Sequence, residues 1–149
     1  MLSKAFKWIH FLKQLRRVGM STADLVTYYN SVIRSVLEYA CPVWHSLLTT
    51  GQSQEIERLQ KRALQCIFGD VQACSSLGLS TLSDSRQQLT RHSFDQLRRP
   101  HSWLAHLMPL KHDISLISYL RNAHLYKPPK ARTVRFAKSF LPYSITYFT

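Results

Sequence analysis

Apolar residues between Leu25 and Ala40 recur with the helical period. Leu25, Tyr28, Tyr29, Val32, Ile33, Val36 and Leu37 fall at i, i+3, i+4, i+7, i+8, i+11 and i+12. Ser21 with Asp24 three residues on is a variant of the capping box, so the spacing predicts a helix over 24–40. Pro42 is expected to stop it, because proline lacks an N–H and restricts the residue before it. A second helix is expected from a cap at Ser53 to Phe68, with Ile56, Leu59, Ala63, Leu64 and Ile67 apolar and Gly69 at its end. Together they read as a helical hairpin with Trp44 packed at its corner; a base-stacking role for that ring is the weaker reading.

The flanking stretches extend the pattern. Residues 1–17 hold Lys4, Lys7, Lys13, Arg16 and Arg17 and no acid, with Trp8, Phe11, Leu12 and Leu15 on one helical face. That face fits the first helix of a bundle. A membrane-surface helix, a calmodulin-type target and a mitochondrial transit segment are the alternatives. From Leu77 to Arg99 a loop leads into a helix capped by Ser80 or Ser83, with Leu82, Leu89, Ser93 and Leu97 on one side. Ser102–Met108 reads as a short helix stopped by Pro109. Lys127-Pro128-Pro129-Lys130 is extended and linker-like, and Val134, Phe136, Tyr143, Ile145 and Tyr147 alternate as in short strands. The expectation is a mainly α, small bundle of four to five helices over 1–110. A basic, partly extended tail follows over 111–149.

Charge changes the picture. Twenty Lys and Arg against eight Asp and Glu give a formal charge of +12, which favours an anionic partner. In the second helix Arg58, Lys61, Arg62 and Gln65 fall at i, i+3, i+4 and i+7, opposite the apolar arc. Arg58 and Arg62 repel one turn apart, and a polyanion lying along them relieves that; the alternative is a solvated face that Glu57 partly neutralises through Lys61. Arg34 and Glu38 read as a solvated i, i+4 ion pair. The tail carries seven basic residues and one acid among tyrosines and phenylalanines. That composition suits either an RNA-contacting segment or a surface packed on a neighbouring domain.

The segment Ile33-Arg34-Ser35-Val36-Leu37-Glu38-Tyr39-Ala40-Cys41-Pro42-Val43-Trp44-His45 resembles the reverse transcriptases of non-LTR, LINE-type retrotransposons. So does Glu57-Arg58-Leu59-Gln60-Lys61-Arg62-Ala63-Leu64-Gln65-Cys66-Ile67-Phe68-Gly69. The likeness continues through Leu77–Arg86, Arg132-Thr133-Val134-Arg135-Phe136 and Ser139-Phe140-Leu141-Pro142. Ser35 stands where that family usually has proline, Ser85 where a second arginine is usual, and the Asp70–Ser76 connection is short. In such polyproteins these motifs lie in the thumb and just beyond it, past the catalytic palm. The resemblance implies a detached template–primer grip. Arg58, Lys61, Arg62, Arg132 and Arg135 would then meet RNA or DNA phosphates, with a palm domain as a further partner.

Chemistry of the chain's own is not expected. Two-metal nucleotidyl transfer needs close carboxylates, and the five aspartates are scattered from Asp24 to Asp113 with no Asp-Asp pair. No phosphate-cradling loop or hydrolase motif occurs, and Cys41, Cys66, Cys74 and the histidines lack zinc-site spacing. No catalytic residue, metal, cofactor or small-molecule substrate is assigned. Three cysteines without paired spacing read as reduced thiols of an intracellular protein, nuclear or cytoplasmic. No transmembrane run and no secretory signal are visible. Two other functions remain open: a helical module binding a protein or membrane, and a decayed transposon reading frame with no selected function.

Overall fold

The computed structural model describes residues 2–69, 81–112 and 125–149, which are mainly helical. The chain forms two compact units, Met1–Ala40 with Thr49–Ser85, and Cys41–Leu48 with Arg86–Thr149.

In the first unit, helix α1 (Leu2–Arg17) packs on the helices that follow. It buries Ala5, Ile9 and Leu12, while Trp8 and Phe11 are exposed. The buried stripe is therefore rotated from the expected Trp8–Phe11–Leu12–Leu15 face. Ala5 and Leu12 are both fully buried, and the bulky rings fall on the flank of that stripe.

Helix α2 (Thr22–Tyr28) begins at the expected cap: the Asp24 N–H donates to Ser21 Oγ at 3.2 Å, and the Ser21 hydroxyl to Asp24 Oδ2 at 2.6 Å. It runs on through a π-helical segment, Tyr29–Arg34, into α3 (Ser35–Glu38). The fully buried residues are Leu25, Tyr29, Ile33 and Leu37, a strict four-residue repeat. In a regular α-helix each four-residue step overshoots one turn by about 40°. The wider i→i+5 winding of the π segment offsets that drift and keeps the repeat on one face. The Thr27, Ser31 and Ser35 hydroxyls each donate to the carbonyl four residues back, along the exposed side.

The helix ends before Pro42. Tyr39 leaves helical geometry with ψ 125°, Ala40 turns to φ +50°, and Pro42 sits in the first turn of a new short helix, α4 (Cys41–Trp44). There its missing N–H costs nothing. Continued past Glu38, the first helix would have met the proline ring.

Helix α5 (Thr50–Phe68) is capped by Thr49, not Ser53. The Gln52 N–H donates to Thr49 Oγ1 at 3.3 Å while Gln52 Oε1 accepts from the Thr49 N–H at 3.0 Å. This reciprocal pair satisfies two orphan donors, which a lone Ser53 does not. Ile56, Leu59, Ala63, Leu64 and Ile67 are buried. Gly69 ends the helix at φ +80°, its N–H donating to the Gln65 carbonyl at 2.9 Å. Arg16 closes the same end by donating from Nη1 to the Cys66 carbonyl at 2.5 Å, a cation at the negative pole of the helix. A Cβ at Gly69 would stand 3.3 Å from Arg16 Nη2. Gly69→Ala is expected to cost about 1–2 kcal/mol in urea unfolding, from left-handed strain alone; Gly69→Asn costs less, since asparagine tolerates that region.

Arg34 and Glu38 do not form a solvated surface pair. Their side chains are only 21% and 17% exposed, and they close a triangle with Ser85. Arg34 Nε donates to Glu38 Oε1 at 3.0 Å, Arg34 Nη2 to Ser85 Oγ at 3.0 Å, and the Ser85 hydroxyl to Glu38 Oε1 at 2.6 Å. Ser85 stands in the first turn of α6 (Leu82–Leu97), so the triangle ties that turn to α3. Buried Gln60 accepts from the Leu82 N–H at 3.2 Å, and Thr81, rather than Ser83, caps α6 through the Asp84 N–H at 3.1 Å. Ser80 lies outside the described residues, as do Cys74 and much of the Leu77–Arg86 motif.

In the second unit α6 buries Thr90, Phe94 and Leu97, while Leu89 is exposed. Ala105–Leu107 form one 3₁₀ turn, shorter than the helix expected before Pro109. Residues 127–130 carry no regular structure, as expected. The alternating residues of the tail are helical rather than stranded: α7 (Val134–Ala137) is capped by Thr133, and α8 (Phe140–Phe148) follows. Among the described residues the sole strand-like pairing is a bridge between Lys111 and Tyr126. Period-two alternation over so few residues cannot be told from one face of a short helix. Here Ser144 and Ile145 are buried while Tyr147 is exposed. Ile145 and Tyr126 join Phe94 and Leu97 in a core flanked by Met108, Leu125, Phe140, Leu141 and Phe148.

Candidate nucleic-acid interface

The packing of α1 against α5 builds a basic surface from two distant stretches of sequence. One groove, of about 350 Å³, is lined by Lys13, Arg16, Arg17, Arg62, Gln65 and Cys66. A second, also about 350 Å³, is lined by Phe6, Glu55, Arg58, Leu59 and Arg62. Arg62 belongs to both, so the two adjoin along the seam between the helices.

Of the residues expected to meet phosphates, Arg58 and Arg62 are brought together here, one turn apart on the exposed side of α5. Lys61 is exposed on the same helix and does not line either groove. Arg132 and Arg135 belong to the second unit, exposed at the start of α7 and within it. Lys13, Arg16 and Arg17 were legible as a basic run but not as partners of Arg62. The burial of Ala5, Ile9 and Leu12 supplies that register, placing Lys13 and Arg17, a turn apart, on the flank facing α5. Phe6, half exposed in the second groove, falls on the same flank.

The cations are unevenly engaged. Arg16 already holds the Cys66 carbonyl, whereas Lys13, Arg17, Arg58 and Arg62 are exposed. Glu55 is the carboxylate at the Phe6 groove and opposes an anion there. Glu57, expected to neutralise the stripe through Lys61, is half-buried: its Oε1 is shielded from water and its charge raises the Tyr29 phenol.

Burial raises the Tyr29 phenol to about 12; Arg34 and Gln60 lower it and Glu38 and Glu57 raise it. The folded pKa exceeds the unfolded value of about 10, so the stability it confers is complete below pH 10 and fades as pH rises towards 12. Tyr29→Phe removes the ionisable phenol. Urea unfolding at pH 8 and pH 11.5 is expected to show wild type losing on the order of 1–2 kcal/mol more than the variant. In the second unit, burial and then the Arg86 charge push the His45 imidazole below its ordinary value, so it is neutral at pH 7. Its stabilising contribution is therefore present above pH 6.5 and lost in acid.

No protein-family model, curated protein or solved structure matches the chain. Among the described residues no three His, Cys, Asp or Glu gather as metal ligands, and no helix is long and apolar enough to cross a membrane. Cys41 is buried and Cys66 half-buried, and among the described residues neither is in a disulfide.

Proposed function

We propose that this chain binds nucleic acid without reading sequence, as a thumb-like grip of the kind its resemblance to LINE-type reverse transcriptases implies. One observation carries the proposal: Lys13, Arg16, Arg17 and Arg62, from opposite ends of the first unit's sequence, line a single groove that Arg62 joins to Arg58. Clustered cations on one seam are the footprint of phosphate contacts. The chain performs no chemical step in this reading, and a polymerase palm is its natural partner. Cysteines outside any disulfide, as Cys41 and Cys66 are, suit an intracellular setting. To separate the units, Lys13→Ala/Arg17→Ala is compared with Arg132→Ala/Arg135→Ala on a labelled RNA–DNA hybrid. The first pair is expected to weaken binding by about tenfold and flatten its salt dependence. If only the second pair matters, the grip lies in the second unit and not in the α1–α5 seam.

A second reading has one observation behind it. Trp8 and Phe11, with ring centroids 5.8 Å apart, stand exposed on the other flank of α1 beside Lys4 and Lys7. Aromatic and basic residues so mixed suit an anionic membrane or an acidic protein. Binding to vesicles containing phosphatidylserine that Trp8→Ala abolishes would favour it.

A further inference from the structure

We infer that the Phe6 groove is a base-stacking site, so that the nucleic acid held on the α1–α5 seam is single-stranded where it passes Phe6. The inference rests on the nucleic-acid reading above and gives it a substrate class.

Phe6 is 50% exposed although it lies on a helix whose neighbouring stripe is fully buried. The same groove is lined by Leu59 and by the charged Arg58, Arg62 and Glu55. A half-exposed ring and two guanidinium side chains lining one groove offer two things to one ligand. The ring meets a flat, unpaired base, and the guanidinium groups meet the phosphates on either side of it. A duplex cannot use the ring, because its bases are already stacked on each other. Phosphates farther along the strand meet Arg62 again and then Lys13 and Arg17. Phe6 to Arg17 is about 16 Å along α1 at 1.5 Å per residue, room for a strand of roughly four nucleotides. Arg16 is not needed as a contact, since it is committed to the α5 terminus.

A lipid headgroup or an acidic peptide would meet the same cations, and with them Glu55 in the same groove. Glu55 beside the ring disfavours both dense anionic surfaces and acidic peptides. A base tolerates it, because its edge carries N–H donors.

The test measures binding of the whole chain to a labelled twelve-nucleotide poly-U strand, to a blunt RNA–DNA hybrid and to inorganic polyphosphate, with Phe6 as wild type, Ala, Leu or Trp. Phe6→Ala and Phe6→Leu are expected to weaken poly-U binding by about five- to 150-fold, the range for loss of one stacked base. The salt slope should stay unchanged, since the phosphate contacts remain. Phe6→Trp should bind poly-U as well as wild type or better, and polyphosphate affinity should not move in any variant. Equal losses on polyphosphate and poly-U would overturn the stacking site, making Phe6 a support for the basic groove. So would a Phe6→Leu variant that binds poly-U as wild type does, or a Phe6→Ala loss as large on the blunt hybrid as on poly-U. Wild type that binds neither poly-U nor hybrid nor polyphosphate sinks the nucleic-acid reading itself, a different result from any of these.

Discussion

Replacing Phe94 with alanine is expected to destabilise the second unit by about 3–5 kcal/mol, the cost of emptying a well-packed aromatic site. Phe94 is fully buried. Its ring lies 6.3 Å from that of Phe148 in a tilted pair, and the Arg98 guanidinium stands 5.9 Å above it. Tyr143 extends the aromatic cluster, 4.6 Å from Tyr147 and 5.9 Å from Phe148, with His45 edge-on at 6.3 Å. Truncation forfeits both the transferred area and the ring–ring contact. Urea unfolding followed by tyrosine fluorescence measures it. Val134→Ala, at an exposed position, is the control and should stay within about 0.5 kcal/mol. A loss at Phe94 no larger than that control would mean the last helices are loosely attached rather than core.

The helical bundle of the first unit was legible because its signals are local. Leu25 to Leu37 shows the period directly, Ser21 with Asp24 and Gly69 mark helix ends, and the apolar arc of α5 is buried as its spacing predicts. Three things were not legible, each because it depends on tertiary packing. The π segment redirects a four-residue repeat that reads equally as plain α. The register of α1 is one of them: Trp8 and Phe11 outweigh Ala5 in hydrophobicity, yet Ala5 is buried and the two rings are exposed. The Arg34–Glu38 pair was read as surface because the serine that completes it, Ser85, lies 47 residues beyond Glu38. In the tail, Thr133 was the missed cue: its side chain accepts from the Phe136 N–H and starts a helix where alternation suggested a strand. For the site, Arg58 and Arg62 were visible as a stripe. Their union with Lys13, Arg17 and Phe6 was not, because it needs both the register of α1 and its packing against α5.

Reversing Arg58 and Arg62 together to glutamate is expected to weaken nucleic-acid binding by about ten- to a hundredfold near 0.1 M salt. The two cations share the Phe6 groove, and Arg62 also lines the groove with Lys13 and Arg17, so the double reversal breaks the surface at its centre. Each lost phosphate contact lowers the slope of log K against log salt by about 0.9 on duplex or 0.7 on a single strand. The double variant should therefore lose between one and two from its slope as well as affinity. Both side chains are exposed, so the fold should hold, which a thermal melt checks. Glu55→Gln should shift affinity the opposite way, by a few-fold. A double reversal that leaves affinity and slope alone would make the stripe ordinary solvated surface.

The most direct test is the wild-type chain titrated onto a labelled RNA–DNA hybrid with a single-stranded overhang, from 50 to 300 mM salt. A basic seam that grips phosphates predicts a log-linear fall in affinity with a slope of about −2.7 to −3.6, three to four contacts at about 0.9 each. A folded chain whose binding is absent, or does not change with salt, would contradict it.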